Sequence, residues 1–164
     1  FNRLLDTNGV LTKKMVSKLL NIYRHHIPSI KINDSVSDLL SNLKKPLYIV
    51  TDGHKVVQNN KIEALNINHF FEKIYITHRY GLINRKPSTY CFEKIRKNQN
   101  CLWEDMVYIG DNPNKDFVNL NLLGVRTVRV LCGEFKNQKA KKGYEAEFSI
   151  TSISQLPLII QGIS

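Results

Sequence analysis

The sequence predicts an α/β protein built on a parallel sheet with helices on both faces. Two observations carry this. Short apolar runs such as Leu47-Tyr48-Ile49-Val50 alternate along the chain with segments of helical periodicity, which is the pattern of strand–helix–strand units. The runs are apolar throughout rather than alternating, as strands covered on both faces must be.

The elements follow in order. From Thr12 to about His26, Met15, Val16, Leu19, Leu20, Ile22 and Tyr23 share one helix face, with Thr12 as N-cap and Pro28 beyond the end. A second helix is expected from about Asp34 to Lys44, with Lys44 and Lys45 at its carboxyl end, where cations suit the helix dipole. Residues 47–50 form the first strand, which ends at the turn signal Thr51-Asp52-Gly53. A helix follows over Lys55–Leu65, then a strand over Ile74–Thr77. Pro87 is expected to start the next helix. Met106–Ile109 is the third strand, Asn114–Leu123 a helix closed by Gly124, and Val125–Leu131 the fourth strand. Phe148–Ile150 reads as a short fifth strand, and Ser152 or Ser154 opens the last helical turns. The chain divides into a helical segment, 1–29, and an α/β core, 30–164.

Composition narrows the function classes. With 164 residues and 42% hydrophobic content, the chain can bury one real core. No apolar stretch approaches a membrane span, and no signal peptide is recognisable. The chain opens on Phe1 rather than Met, as a processed chain or a fragment would. The net charge is +10, but the lysines are scattered, and the densest run, Lys136–Lys142, reads as a solvated loop. Aromatic and basic residues do not interleave as a single-strand surface needs, so nucleic acid is not an expected partner. The three cysteines, Cys91, Cys101 and Cys132, match no zinc or redox spacing and suit a reducing, cytoplasmic setting.

In open parallel sheets ligands bind at the carboxyl ends of strands. Thr51, Asp52 and Gly53 end the first strand; Lys86 lies after the second; Asp111 follows the third, with Asp116 five positions on. A hydroxyl and the backbone N–H groups after it suit phosphate oxygens. Lys86 offers a compact positive charge for a phosphoryl group. Asp111 suits Mg2+, which takes few oxygen ligands from protein. Asp116 suits either direct ligation or the fixing of Lys86 and a metal-bound water. Singly, each has an ordinary structural use: a strand-ending turn, an Asn-Pro turn, a first-turn acid, a surface lysine. Their placement at successive strand ends favours a site. His54 is near enough to approach a substrate but reads as solvated, and Arg79 is placed to touch an anion. No Gly-rich phosphate loop and no Ser-His-Asp set stands out.

Three stretches, "LYIVTDG" with Thr51, "RKPSTYCFEKI" with Lys86 and "VYIGDNPNKDF" with Asp111 and Asp116, resemble in order and spacing the second, third and fourth motifs of the haloacid dehalogenase superfamily. That resemblance implies a Rossmann-like core and a Mg2+-dependent phosphatase acting on a small phosphorylated metabolite. The family's first motif, Asp-x-Asp on a central strand, has no match. Asp6 in "RLLDTNGV" lacks a preceding strand and a second Asp two positions on. The resemblance therefore puts the nucleophile upstream of Phe1, on a strand between those ending at Thr51 and Ile109, and makes residues 1–29 the last part of a helical cap. A dehalogenase is the alternative chemistry. A non-catalytic module that binds a phosphorylated ligand or a partner is the alternative class. A signalling receiver domain has the wrong order, since its acidic pair comes first.

Overall fold

The computed structural model describes residues 2–163. Its elements are α1 (Asn2–Thr7), α2 (Lys13–His25), α3 (Asp34–Asn42), β1 (Tyr48–Thr51), α4 (Lys55–Leu65), β2 (Lys73–Ile76), α5 (Tyr90–Gln99), β3 (Val107–Gly110), α6 (Val118–Leu122), β4 (Arg126–Val130), β5 (Phe148–Ile150) and α7 (Leu156–Ile163). Short 3-10 turns fill several of the connections. The Thr12 hydroxyl caps α2 by accepting from the Met15 N–H, and Ser152 and Gln155 form a reciprocal capping box before α7.

All strand pairs are parallel, as expected, but the sheet is in two parts. β1 pairs with β2, from Tyr48 opposite Lys73 to Thr51 opposite Ile76. β3, β4 and β5 form a second, three-stranded sheet. Among the described residues no ladder joins β1 to β3. Between them lies a groove of about 530 Å3 lined by Tyr48 and Val50 on one side and Val107 and Ile109 on the other, with Ile95 of α5 and Leu156 of α7 also on its walls.

Side-chain alternation along the strands dictates what covers each face. Ile49 and Ile76 pack with Ile62 of α4. Tyr48, Val50 and Tyr75 pack with Cys91 and Ile95 of α5. In the second sheet, Val107, Ile109 and Val128 pack with Leu156 of α7, while Tyr108 packs with Phe92 of α5 and Leu120 of α6. Helices thus lie on both faces.

Two helix starts differ from expectation. Pro87 does not open α5. The Lys86–Pro87 peptide is cis, and the segment closes as a turn through Ser88 N–H to Arg85 O at 2.8 Å, so the helix starts at Tyr90. Nor does α6 start at Asn114. Asn112 accepts from Asn114 N–H on its side chain at 3.0 Å and from Asp116 N–H on its carbonyl at 3.0 Å, and this asparagine turn competes with the helix. Gly124 does close α6, at φ +86°.

The segment 131–147 after β4 is a loop with exposed lysines at 136, 139, 141 and 142. It is anchored by Arg129, which is 3% exposed and donates to Phe135 O, Gln138 O and the Glu145 carboxylate at 2.6–2.9 Å. Charge-assisted bonds of this kind contribute about 1.5–3 kcal/mol each. Arg129→Met is therefore expected to leave the strands paired but release the loop, so that trypsin cuts near Lys139–Lys142 about tenfold faster than in the parent. Unchanged cleavage would show that the loop is held by something else.

Candidate functional site

The site is assembled from four chain segments at the carboxyl ends of β1, β2 and β3, around two carboxylates. Asp116 is 3% exposed. Its Oδ2 accepts the N–H groups of Asp111 and Asn112 at 3.2 and 2.9 Å. Its Oδ1 receives Lys86 Nζ at 2.7 Å and the Tyr108 hydroxyl at 3.3 Å. A carboxylate offers about four acceptor directions, so Asp116 is saturated by the protein. The approach depends on Gly110, where a Cβ would lie 2.7 Å from Asp116 Oδ2.

Lys86 is held as tightly. Its ammonium lies 2.7 Å from Asp116 and 2.9 Å from Tyr108 Oη. An ammonium has three N–H donors, so one is left to aim elsewhere. Burial, and then the negative charge of Asp116, raise the Tyr108 hydroxyl well above its ordinary pKa, so it stays a neutral donor.

Asp52 is the second carboxylate. It accepts from the Thr77 hydroxyl at 2.8 Å, from the Lys86 backbone N–H at 3.2 Å and from Lys115 Nζ at 3.0 Å. Burial opposes its ionisation, but the hydrogen bonds from Lys115, Thr77 and Lys86 outweigh it and hold its pKa below the ordinary carboxylate value. Lys115 comes from the β3 side and Asp52 from β1, so this pair spans the two sheets.

The remaining sequence candidates are placed as follows. The Thr51 hydroxyl donates to Gln58 Oε1 at 3.1 Å. Gly53 adopts φ +125°, which a side chain rarely tolerates. Asp111 lies in the loop after β3, and its carboxylate has no hydrogen-bond or ion-pair partner among the described residues. No group of three or more His, Cys, Asp or Glu side chains suited to a metal occurs among them. A metal here would have the free oxygens of Asp111, a hard donor set of the kind Mg2+ prefers, as a partial site. Cys91 is 1% exposed, and burial together with the Asp52 charge pushes its thiol up to about 11, so it is no nucleophile.

Sequence reasoning missed Thr77, Lys115, Tyr108 and Gln58 as members of this network. Thr77 and Tyr108 sit at strand ends or inside strands, where nothing in their spacing separates them from core residues. Lys115 lies inside the "GDNPNKDF" stretch, and its position beside two aspartates was the available signal.

The haloacid dehalogenase-like hydrolase family pattern matches residues 3–130. Among curated relatives, a glyceraldehyde 3-phosphate phosphatase of Methanocaldococcus jannaschii is 28% identical over 158 residues, 96% of this chain and 64% of the relative. One of Pyrococcus furiosus is 30% identical over 125 residues, 74% of this chain and 51% of the relative. The chain thus spans less than two thirds of the length of either. Among solved structures, the magnesium-bound putative hydrolase YfnB of Bacillus subtilis superposes with a TM-score of 0.73 at 22% identity, over 98% of this chain and 69% of that one; this likeness concerns the fold.

The Asp52 network has a pH consequence. Its folded-state pKa is lowered, so it stabilises the fold above the unfolded value, and that contribution is lost as pH falls below the ordinary 3.8. Asp52→Asn is expected to lower the midpoint of thermal unfolding at neutral pH and to flatten its decline in acid. An acid decline as steep as the parent's would remove Asp52 from this role. The parallel strands flanked by helices, the two carboxylate networks at their carboxyl ends and the match over residues 3–130 converge: this chain belongs to the haloacid dehalogenase-like hydrolases.

Proposed function

We propose that the chain supplies most of the active site of a Mg2+-dependent phosphatase acting on a small phosphorylated metabolite, and that the nucleophilic Asp comes from polypeptide upstream of Phe1. The observation that carries this is the groove between β1 and β3. Strand edges facing each other across an apolar groove leave backbone groups without ladder partners, which are costly when buried. An inserted strand satisfies both edges and delivers its last side chains beside Lys86 and Asp111. The relatives' greater length agrees with an additional segment. Residues 1–29 are then the end of a helical cap, and the exposure of Ile22 and Tyr23, 56% and 52%, is a face that the rest of such a cap covers.

In this reading the upstream carboxylate attacks phosphorus, the ester oxygen leaves with a proton, and water then cleaves the acyl phosphate to return free carboxylate and inorganic phosphate. Lys86 places its third N–H on a phosphoryl oxygen and offsets charge there. Thr51 reaches the phosphate by turning its hydroxyl from Gln58, with the N–H groups of Asp52 and Gly53 alongside. Asp116 acts on Lys86 and on the loop that carries Asp111 rather than as a direct ligand, because its acceptor directions are taken. Asp111 would hold Mg2+, which supplies screening between the anionic nucleophile and the anionic phosphate. Retained backbone and side-chain donors for several phosphoryl oxygens favour phosphate over halide chemistry.

The metal assignment is tested by calorimetry. The chain should bind Mg2+ at best with millimolar affinity, about 4 kcal/mol, and Asp111→Asn should lose it; equal binding by both sinks the assignment. The function is tested by turnover. Residues 1–164 alone should not hydrolyse an aryl phosphate. Joined to the natural upstream segment they should, and the first Asp of that segment changed to Asn should abolish it. Lys86→Ala in the joined protein should cut kcat/KM by about 10²–10³. Robust hydrolysis by residues 1–164, lost on Lys86→Ala, would place a nucleophile inside this chain and overturn the proposal.

A further inference from the structure

A second concentration of positive charge lies near Asp52, apart from the lysines that bond to it. His54 follows Asp52 by two residues and caps α4, with its Nδ1 accepting from the Val56 N–H at 3.4 Å. That leaves Nε2 to carry the ring proton of the neutral form. The His78 ring stands 4.9 Å from it, centroid to centroid. His78 follows Thr77, whose hydroxyl is bonded to Asp52, and its Nδ1 is buried with no hydrogen-bond partner. The carboxyl end of α2 is close enough for the charges of Arg24 and His25 to bear on His54. The Asn60 amide, midway along α4, donates to His26 O at 3.0 Å and Arg24 O at 3.4 Å, which holds the backbone at the end of α2 against α4. Arg79 is tied in through Asn59 Oδ1 at 2.9 Å.

The cluster is positive and uncompensated. Arg24, Lys55 and Arg79 carry full charges among three imidazoles, and none of them is in an ion pair with a carboxylate among the described residues. The strain is visible at His54. Partial burial first, and then the charges of Arg24, His78, Lys55 and His25, hold its pKa below the ordinary value of 6.5. By contrast, Lys86, itself the proposed phosphate anchor, and Lys115 are each paired with an aspartate. Neighbouring cations without acids paired to them suit an oxyanion ligand.

We infer that Arg24, His54, His78 and Arg79 form a second anion subsite, which selects a phosphate monoester bearing a second oxyanion, carboxylate or phosphate, on its far end. The inference rests on the reading of Lys86 and Thr51 as the phosphate anchor. The second oxyanion takes the N–H donors of Arg24 and the imidazoles, and Lys55 adds long-range attraction. A substrate with a single phosphate and a neutral tail, such as the one in the relatives' name, leaves these cations without a counter-charge. The subsite thus separates this chain's substrate from that one by charge rather than size.

Binding of three probes to the chain tests this: glycerol 3-phosphate with one anionic group, 3-phosphoglycerate with an added carboxylate, and glycerol 1,3-bisphosphate with an added phosphate. One or both probes with the second anionic group should bind about tenfold or more tightly than glycerol 3-phosphate, and the two arms tell carboxylate from phosphate. That advantage should shrink to within about twofold in Arg24→Gln and in His78→Gln, while glycerol 3-phosphate binding stays unchanged. The His54 and His78 ring resonances should move with the favoured probe and not with glycerol 3-phosphate. Lys86→Ala separates the two readings. If it weakens all probes alike, the phosphate anchor stands. If it weakens none while the Arg24-dependent advantage remains, the anchor reading falls and the subsite stands. Equal binding of all three probes by the parent, an advantage that survives both variants, or no binding of any probe overturns the subsite.

Discussion

Two carboxylates, Asp116 buried and Asp52 partly buried, hold this fold together where its backbone does not. Among the described residues β1–β2 and β3–β4–β5 share no ladder, so the usual continuity of a parallel sheet is interrupted at its centre. Two polar bridges cross the interruption at the carboxyl edge. Asp52 on the β1 side meets Lys115 from the loop after β3, and Asp116 on the β3 side meets Lys86 from the segment after β2. The bridges are reciprocal: each half contributes one acid and one lysine. At the level of the helices, α5 does the same work in apolar terms, because Cys91 and Ile95 touch the first sheet and Phe92 the second.

The chemistry of the bridges explains why they are tolerated at buried and partly buried positions. A buried ion pair is stable only when its remaining acceptor and donor directions are also filled. Asp116 meets that condition with two backbone N–H groups and the Tyr108 hydroxyl besides Lys86. Asp52 meets it with Thr77 and the Lys86 N–H besides Lys115. Both lysines are thereby oriented in advance, which is the condition for a charge to act on a ligand without first being reorganised. Asp111 stands apart from this economy of partners. Among the described residues its carboxylate is the one acid of the three motifs without a protein donor, and hence the one available to something else.

Charge is divided between two kinds of environment. Around the motif residues, cations alternate with carboxylates and are nearly balanced locally. Among His54, His78, Arg24 and Arg79 they are not. The formal net charge of +10 therefore understates how differently the cations are used: most lysines, such as those of the 131–147 loop, lie in solvent, where repulsion is screened. The sequence alone counted those charges but could not sort them, because the sorting depends on which carboxylates fold against which lysines.

Local signals determined much of this protein. The apolar runs, the Thr12 cap, the Gly124 stop and the helix at 55–65 depend on contacts within a few residues, and they reappear in the structure at nearly the same positions. The placement of Thr51, Lys86 and Asp111 after successive strands was equally legible, because in parallel units the chain must return to the same edge. The late starts of α5 and α6 were not, since they turn on the Arg85–Ser88 turn and on the Asn112 side chain competing with helix for backbone donors. Beyond that range the tertiary structure decided everything. Whether β1 meets β3, which donors saturate Asp116, that Lys115 reaches Asp52 across 63 positions of chain, and that His54 and His78 share one corner are facts of long-range pairing. No periodicity encodes them, because the energy that selects them comes from desolvation and charge pairing between segments that are neighbours only after folding.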